Sequence, residues 1–164
     1  MKTIKPTSAK HALRVVATIA EVSQHENAEY DKQLRERLRS SIVDIEAMLA
    51  GYLVCTLWAS IGEDERPLDA KYFPTDIDEE SQRAARETCK DFVGQAIAEG
   101  LLLEAIYPQQ SSNIGHDLWL TRNHHGTGFW DRGFGEAGAV LTKLAHHLGE
   151  SNAYEGDDGK VHLT

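Results

Sequence analysis

Along the first hundred positions, apolar residues recur at three- and four-residue steps. Leu13, Val16, Ala17 and Ala20 form one stripe, and Ser8 stands where it would cap a helix over about residues 9–23. His25-Glu26-Asn27 reads as a break. Tyr30, Leu34, Leu38, Ile42, Ile45, Leu49 and Tyr52 then hold one face of a second, longer helix over about 28–59, and from Leu53 to Trp58 the chain becomes apolar nearly all round. The opposite face interleaves Lys32, Arg35, Arg37 and Arg39 with Asp31 and Glu36, the pattern of a solvated mixed-charge surface. Gly62, the run Glu63-Asp64-Glu65, Pro67 and Pro74 predict a loop over 61–74. Asp76 and Glu79 stand at capping-box spacing ahead of a helix to about Glu99, with Ala84, Ala85, Thr88, Phe92 and Ile97 inward and Gly100 as its stop. Leu101-Leu102-Leu103 suits either strand or helix, and Pro108 to Asn113 reads as a polar connector.

The texture then changes, with six glycines between Gly115 and Gly138. His116 to Thr121 alternates weakly, Thr127 to Asp131 is short and aromatic, and residues 122–126 between them resemble a hairpin loop. A helix is expected over about 136–148, ended by Gly149, with Val140, Leu141, Leu144 and Leu148 inward. Asp158-Gly159 between Tyr154-Glu155 and Lys160 to Leu163 signals a second hairpin. The expected fold class is α+β: three to four helices packed on a small antiparallel sheet made of two β-hairpins. It forms a single domain over 1–164, helical over about 8–107 and hairpin-helix-hairpin over about 114–164.

Charge and composition narrow the function classes. The formal net charge is −9, and residues 61–110 hold 12 acidic against 5 basic side chains. That balance opposes nonspecific nucleic-acid binding, which needs a basic footprint. It suits a basic protein partner. Glu63, Asp64, Glu65, Asp76, Asp78, Glu79 and Glu80 are the candidate acidic partner face. Cys55 and Cys89 lie in part-apolar helical stretches without zinc or disulfide spacing, and are expected to be reduced core thiols. No stretch approaches a membrane span and the N-terminus has no signal-peptide pattern, so a cytoplasmic location is expected. There is no P-loop, dinucleotide fingerprint or nucleophile elbow, and neither a cofactor nor a metal is expected. His146 and His147 are adjacent on a helix and point about 100° apart, so they do not chelate together; one should be half buried and the other solvated.

Polar chemistry concentrates in residues 115–133, Gly-His-Asp-Leu-Trp-Leu-Thr-Arg-Asn-His-His-Gly-Thr-Gly-Phe-Trp-Asp-Arg-Gly. In a symmetric hairpin Trp119 faces Phe129 and Asp117 faces Asp131. Two opposed carboxylates need a cation or a shared proton. Arg122 or Arg132 could supply the counter-charge, as could a magnesium, manganese or zinc ion, and a one-residue slip would set Asp117 opposite Arg132. His116, Asp117, Arg122, Asn123, His125, Trp130, Asp131 and Arg132 are the candidate functional surface.

This segment, with Leu57-Trp58, Pro67-Leu68-Asp69, the helix over 136–148 and Tyr154 to Lys160, resembles a family of small bacteriophage and prophage proteins over roughly residues 50–164. It departs from that family's pattern at Leu118, His124 and Thr127. Where the family has a glycine, His124 is expected to adopt the left-handed backbone that histidine tolerates, leaving His125 as the better candidate for a shared role. The resemblance implies a phage setting and no mechanism. The expected function is an accessory protein that binds a host protein or protein complex, in its concrete form an inhibitor of a bacterial defence system of the anti-CRISPR or anti-restriction type. Two alternatives stand beside it. One is a small enzyme acting on a phosphate-containing substrate, with His125 as acid/base, Arg122 and Arg132 as anion clamps and Asp117 or Asp131 on a metal. The other is a structural homodimer built through the long helix.

Overall fold

Among the residues the structure describes, 43–164, five helices are followed by one β-hairpin: α1 Ile45–Ala59, α2 Glu79–Ala98, α3 Leu103–Ile106, α4 Ser111–Arg122, α5 Glu136–His147, β1 Ala153–Glu155 and β2 Val161–Leu163. Short 3-10 turns lie at Leu68–Ala70, Pro74–Asp76 and Phe129–Asp131. In this computed structural model residues 43–164 belong to one compact unit. The expected helix over 9–23 and the mixed-charge face at 31–39 lie outside the described residues.

The centre is the crossing of α1 and α4. Two glycines let the backbones touch: a methyl on Gly51 would lie 1.9 Å from the Ser112 carbonyl oxygen, and one on Gly115 would lie 1.8 Å from that of Met48. Around the crossing α1 buries Met48, Tyr52, Leu53 and Cys55, and α4 buries every residue from Ile114 to Arg122 except His116. The edge of Tyr52 meets the Trp119 ring at 5.2 Å. Helix α2 adds Ala85, Cys89, Phe92 and Ala96, and α5 adds Leu141 and Ala145. Cys55 and Cys89 are both free and buried, and burial pushes each thiol up to about 12.

Helix starts differ from the sequence-based expectation. Helix α1 begins at Ile45, because Asp44 is extended (ψ 101°) and its carboxylate accepts from the Glu46 and Ala47 amides. The helix expected over 28–59 is therefore interrupted at Val43 and Asp44, and its part before residue 43 lies outside the described residues. Helix α2 is capped by Asp78, which accepts from the Glu80 and Ser81 amides. Asp76 instead closes the preceding turn through the Phe73 amide at 2.7 Å. The inward stripe of α2 is rotated accordingly: Ser81 and Cys89 are buried, Ala84 is exposed, and Thr88 and Ile97 are half-buried.

The second expected hairpin is present, with Tyr154 opposite His162 and Gly159 in the left-handed region at φ 77°. It is anchored to the 61–78 segment by an Ile77–Val161 bridge and by Glu155. The Glu155 carboxylate accepts from Lys71 Nζ at 2.6 Å, Tyr72 Oη at 2.8 Å and the Glu63 amide at 2.8 Å, and with Lys71 foremost these partners hold it at about 2.

The first expected hairpin is not. Residues 115–122 are the body of α4, and 129–131 are a 3-10 turn. Trp119 and Phe129 do not pair across strands: Phe129 stacks on Phe92, with centroids 5.3 Å apart and planes within 8°. The architecture is a mostly helical α+β fold with one two-stranded antiparallel sheet. No helix among the described residues is long and apolar enough to cross a membrane.

Candidate functional site

Helix α4 carries Asp117 into the interior at 2% exposure. The chain that returns to it is shaped by Asp131, whose carboxylate accepts from the Gly128 amide at 3.0 Å and from Thr127 Oγ1 at 2.6 Å. Phe129 plugs the turn into the core, and its amide donates to buried Thr121 Oγ1. Arg132 emerges next and grips Asp117 with two donors, Nε to Oδ2 at 2.9 Å and Nη2 to Oδ1 at 2.5 Å. Tyr107, from the segment between α3 and α4, donates its hydroxyl to Oδ2 at 2.6 Å. Burial raises the Asp117 carboxyl, but the surrounding hydrogen bonds outweigh it and leave it at about 2. Burial and the donated proton push the Tyr107 phenol up. Asp117 thus favours its ionised form, with its partners already in place.

These groups floor an open cleft of about 450 Å³, walled by Ile106, Pro108, Gln110, Asn113, His116 and Phe134. Phe134 meets the Tyr107 ring at 5.0 Å. At the rim His116 stacks on Trp58 of α1, with centroids 6.0 Å apart, and Trp58 is 55% exposed. Polar and apolar surface are interleaved here around a matched ion pair.

The remaining candidates part company. Arg122 is 7% exposed; it donates Nη1 to Tyr52 Oη at 2.7 Å, Nε to the Gly149 carbonyl at 2.7 Å and Nη2 to the Leu148 carbonyl at 3.2 Å. It caps the carbonyl end of α5, where a cation is favoured. With Arg132 held by Asp117 as well, the two-arginine anion clamp is not assembled. Asn123 ties α4 to the final segment, donating to the Trp119 carbonyl and accepting from the Ser151 amide. His124 adopts φ +54°, the left-handed backbone expected of it, and its ring lies tilted against that of His146 with centroids 4.4 Å apart. His146 and His147 are both exposed, so neither is half-buried. His125 lines a different crevice from Asp117. Trp130 is 44% exposed, beside Gly128.

The acidic face also divides. Asp64 is bound by Arg66, and Asp76 and Asp78 cap backbone amides; Glu63, Glu65, Glu79 and Glu80 remain exposed to solvent. Among the described residues no three metal-ligating side chains gather. Sequence reasoning missed Tyr107 and Phe134. A tyrosine before Pro108 carries no signal of its own, and only the path of the chain places it on Asp117. No protein-family model, curated protein or solved structure matches the chain.

Proposed function

We propose that this chain is a phage- or prophage-type accessory protein that binds a host macromolecule through the Trp58–His116 rim and the cleft above Asp117 and Arg132. Inhibition of a CRISPR or restriction system is the concrete role. The observation that carries the binding part is the combination of a pre-paired ion pair with exposed aromatic groups. Arg132 and Tyr107 already occupy both oxygens of Asp117, so the floor is rigid and its charges are matched. Rigid floors favour recognition because little ordering is left to do on binding. Trp58, the largest exposed ring at the rim, is the residue type that most often anchors interfaces. The phage setting rests on the resemblance of residues 115–133 and neighbouring segments alone. The four solvent-facing glutamates at 63, 65, 79 and 80 add attraction for a basic partner.

The test is phage plating on bacteria that express the chain with an active CRISPR or restriction system. Plating should rise with the wild-type chain and fall back with Trp58→Ala, while Trp130→Ala, at another exposed tryptophan, keeps the effect. Equal plating with and without the chain in both defence backgrounds would remove the anti-defence role. Retained activity in Trp58→Ala would remove the rim as the contact.

A further inference from the structure

One line of contacts crosses the cleft from its rim to its far wall. Trp58 stacks on His116, His116 Nδ1 lies 3.6 Å from Asp117 Oδ1, Tyr107 donates to Asp117 Oδ2, and the Tyr107 ring meets Phe134 at 5.0 Å. Two pairs of rings thus flank one ion pair. The floor between them has donors to spare and no acceptor. Asp117 is buried, and both its oxygens are taken by Arg132 and Tyr107. Tyr107 is buried too and has given its only hydroxyl proton to Asp117. Arg132 spends the Nε–Nη2 edge of its guanidinium on Asp117, yet its side chain is 36% exposed. Its Nη1, on the other edge, has no hydrogen-bond partner among the described residues, so these two hydrogens are what the floor offers. On the wall, Gln110 Oε1 accepts from Asn113 Nδ2, which leaves the Gln110 NH2 group as a further donor.

Resting on the contact surface assigned above, we propose that the partner segment held in this cleft is proline-rich and extended, with proline rings against Trp58 and Phe134 and a backbone carbonyl accepting from Arg132 Nη1. Three features select that chemistry. A peptide N–H pressed onto a floor without acceptors would lose its water and gain no bond, whereas proline has carbonyls and no N–H. A polyproline II segment is preformed and fully solvated along its backbone, so its carbonyls reach donors and its rings reach aromatic surface with little ordering left to do. Charged ligands fit worse. Asp117 already neutralises Arg132 and the chain carries a formal net charge of −9, which disfavours an anion, and the exposed guanidinium opposes a cation.

The test titrates the 15N-labelled full chain with capped decaproline and, separately, with a capped peptide of the same length that alternates glycine and serine. Trp58→Phe and Trp130→Phe assign the indole resonances, and Arg132→Lys assigns the Arg132 Nε–H. Decaproline should shift the Trp58 and Arg132 signals saturably while Trp130 stays still, and the glycine–serine peptide should shift neither. Trp58→Ala should keep the folded amide spectrum and weaken decaproline by about tenfold or more, read at Arg132. Gln110→Ala should weaken it by about fivefold, the effect of one lost neutral hydrogen bond. Trp58 and Arg132 signals that ignore decaproline, or that move equally with glycine–serine, would overturn the proposal, as would an affinity unchanged in Trp58→Ala. Phage plating that depends on Trp58 in a chain that ignores decaproline would leave the contact surface standing and remove only the proline chemistry. Decaproline binding without any effect on plating would remove the anti-defence role and leave the proline site.

Discussion

Replacing Gly115 by alanine adds one methyl at the tightest point of the fold. That carbon would sit 1.8 Å from the Met48 carbonyl oxygen and 2.8 Å from the Tyr52 amide nitrogen, both backbone atoms that no rotamer change can move aside. Relief requires α1 and α4 to part by about 1 Å, and a gap of that size forfeits a quarter to a half of each contact's dispersion well. The contacts at stake include Met48, Tyr52, Leu118 and Trp119, all at most 2% exposed. Overpacking of this kind costs about 1–3 kcal/mol, and backbone contacts on both sides place it at the upper end. Alanine's better helix propensity returns about 1 kcal/mol, so the net loss is roughly 2 kcal/mol. With about 4 °C per kcal/mol for a domain of this size, the melting temperature should fall by roughly 8 °C. Gly94 supplies the internal control. It is exposed on α2 with open space where its Cβ would be. Gly94→Ala should therefore raise the melting temperature by a few degrees, reflecting about 0.5–1 kcal/mol of reduced unfolded-state entropy. Thermal melts of the two variants side by side test the reasoning. A Gly115→Ala protein as stable as wild type would refute the close crossing of α1 and α4.

Removing Arg132 as Arg132→Ala leaves Asp117 buried with Tyr107 and with His116, whose Nδ1 lies 3.6 Å from Oδ1. It should cost roughly 2 kcal/mol by urea melts, below a fully buried pair because Arg132's side chain is 36% exposed. Because Asp117's folded value is depressed to about 2, its contribution is present above about 4, the ordinary aspartate range, and is lost as pH falls toward 2; the acid limb of the stability curve should flatten in Asp117→Asn. His162 behaves oppositely. Its Nε2 bonds Asp158 Oδ1 at 3.0 Å and its Nδ1 lies at ion-pair distance, 3.2 Å, from Asp78 Oδ2, so both carboxylates favour the imidazolium. With Asp158 as the main cause its folded value is raised, so its stabilisation is complete below about 6.5 and disappears as pH rises through the folded value. Melts across pH 5–9 should show that loss in wild type and not in His162→Ala. Cys55 and Cys89, pushed up to about 12 by burial, should resist a thiol reagent in the native protein and react in full only in denaturant, and reductant should leave the melting temperature unchanged. Rapid labelling of the native chain would contradict their burial.

What could be read from the sequence alone was what local chemistry decides. Helix α5 shows an apolar stripe and a terminal Gly149, and it forms with Gly149 at φ 73°. Asp158-Gly159 marks a turn whose left-handed glycine no distant contact has to impose, and the hairpin of β1 and β2 forms around it. His124 takes a positive φ of 54°, a backbone that histidine tolerates. Helix α4 defeated the same reading because it is buried on almost every side. Ile114, Leu118, Trp119, Leu120, Thr121 and Arg122 are all withdrawn from water, and the solvent-facing positions, Ser112, Asn113 and His116, end after the first turns, too few to reveal a 3.6-residue period. Gly115, read as a mark of loop or strand, is there because another helix's carbonyl occupies the space of its side chain. That a carbonyl stands there is a property of α1, more than sixty residues earlier, and no local pattern records it. The same holds for the ion pair. A hairpin register would set Asp117 against Asp131, but the helix, the plugged Phe129 turn and Gly133 at φ 77° bring Arg132 there instead and leave Asp131 closing its own turn. Tertiary packing alone decided which arginine meets Asp117 and which caps α5. Either guanidinium has the charge for either task, and the deciding quantity is where the backbone delivers it.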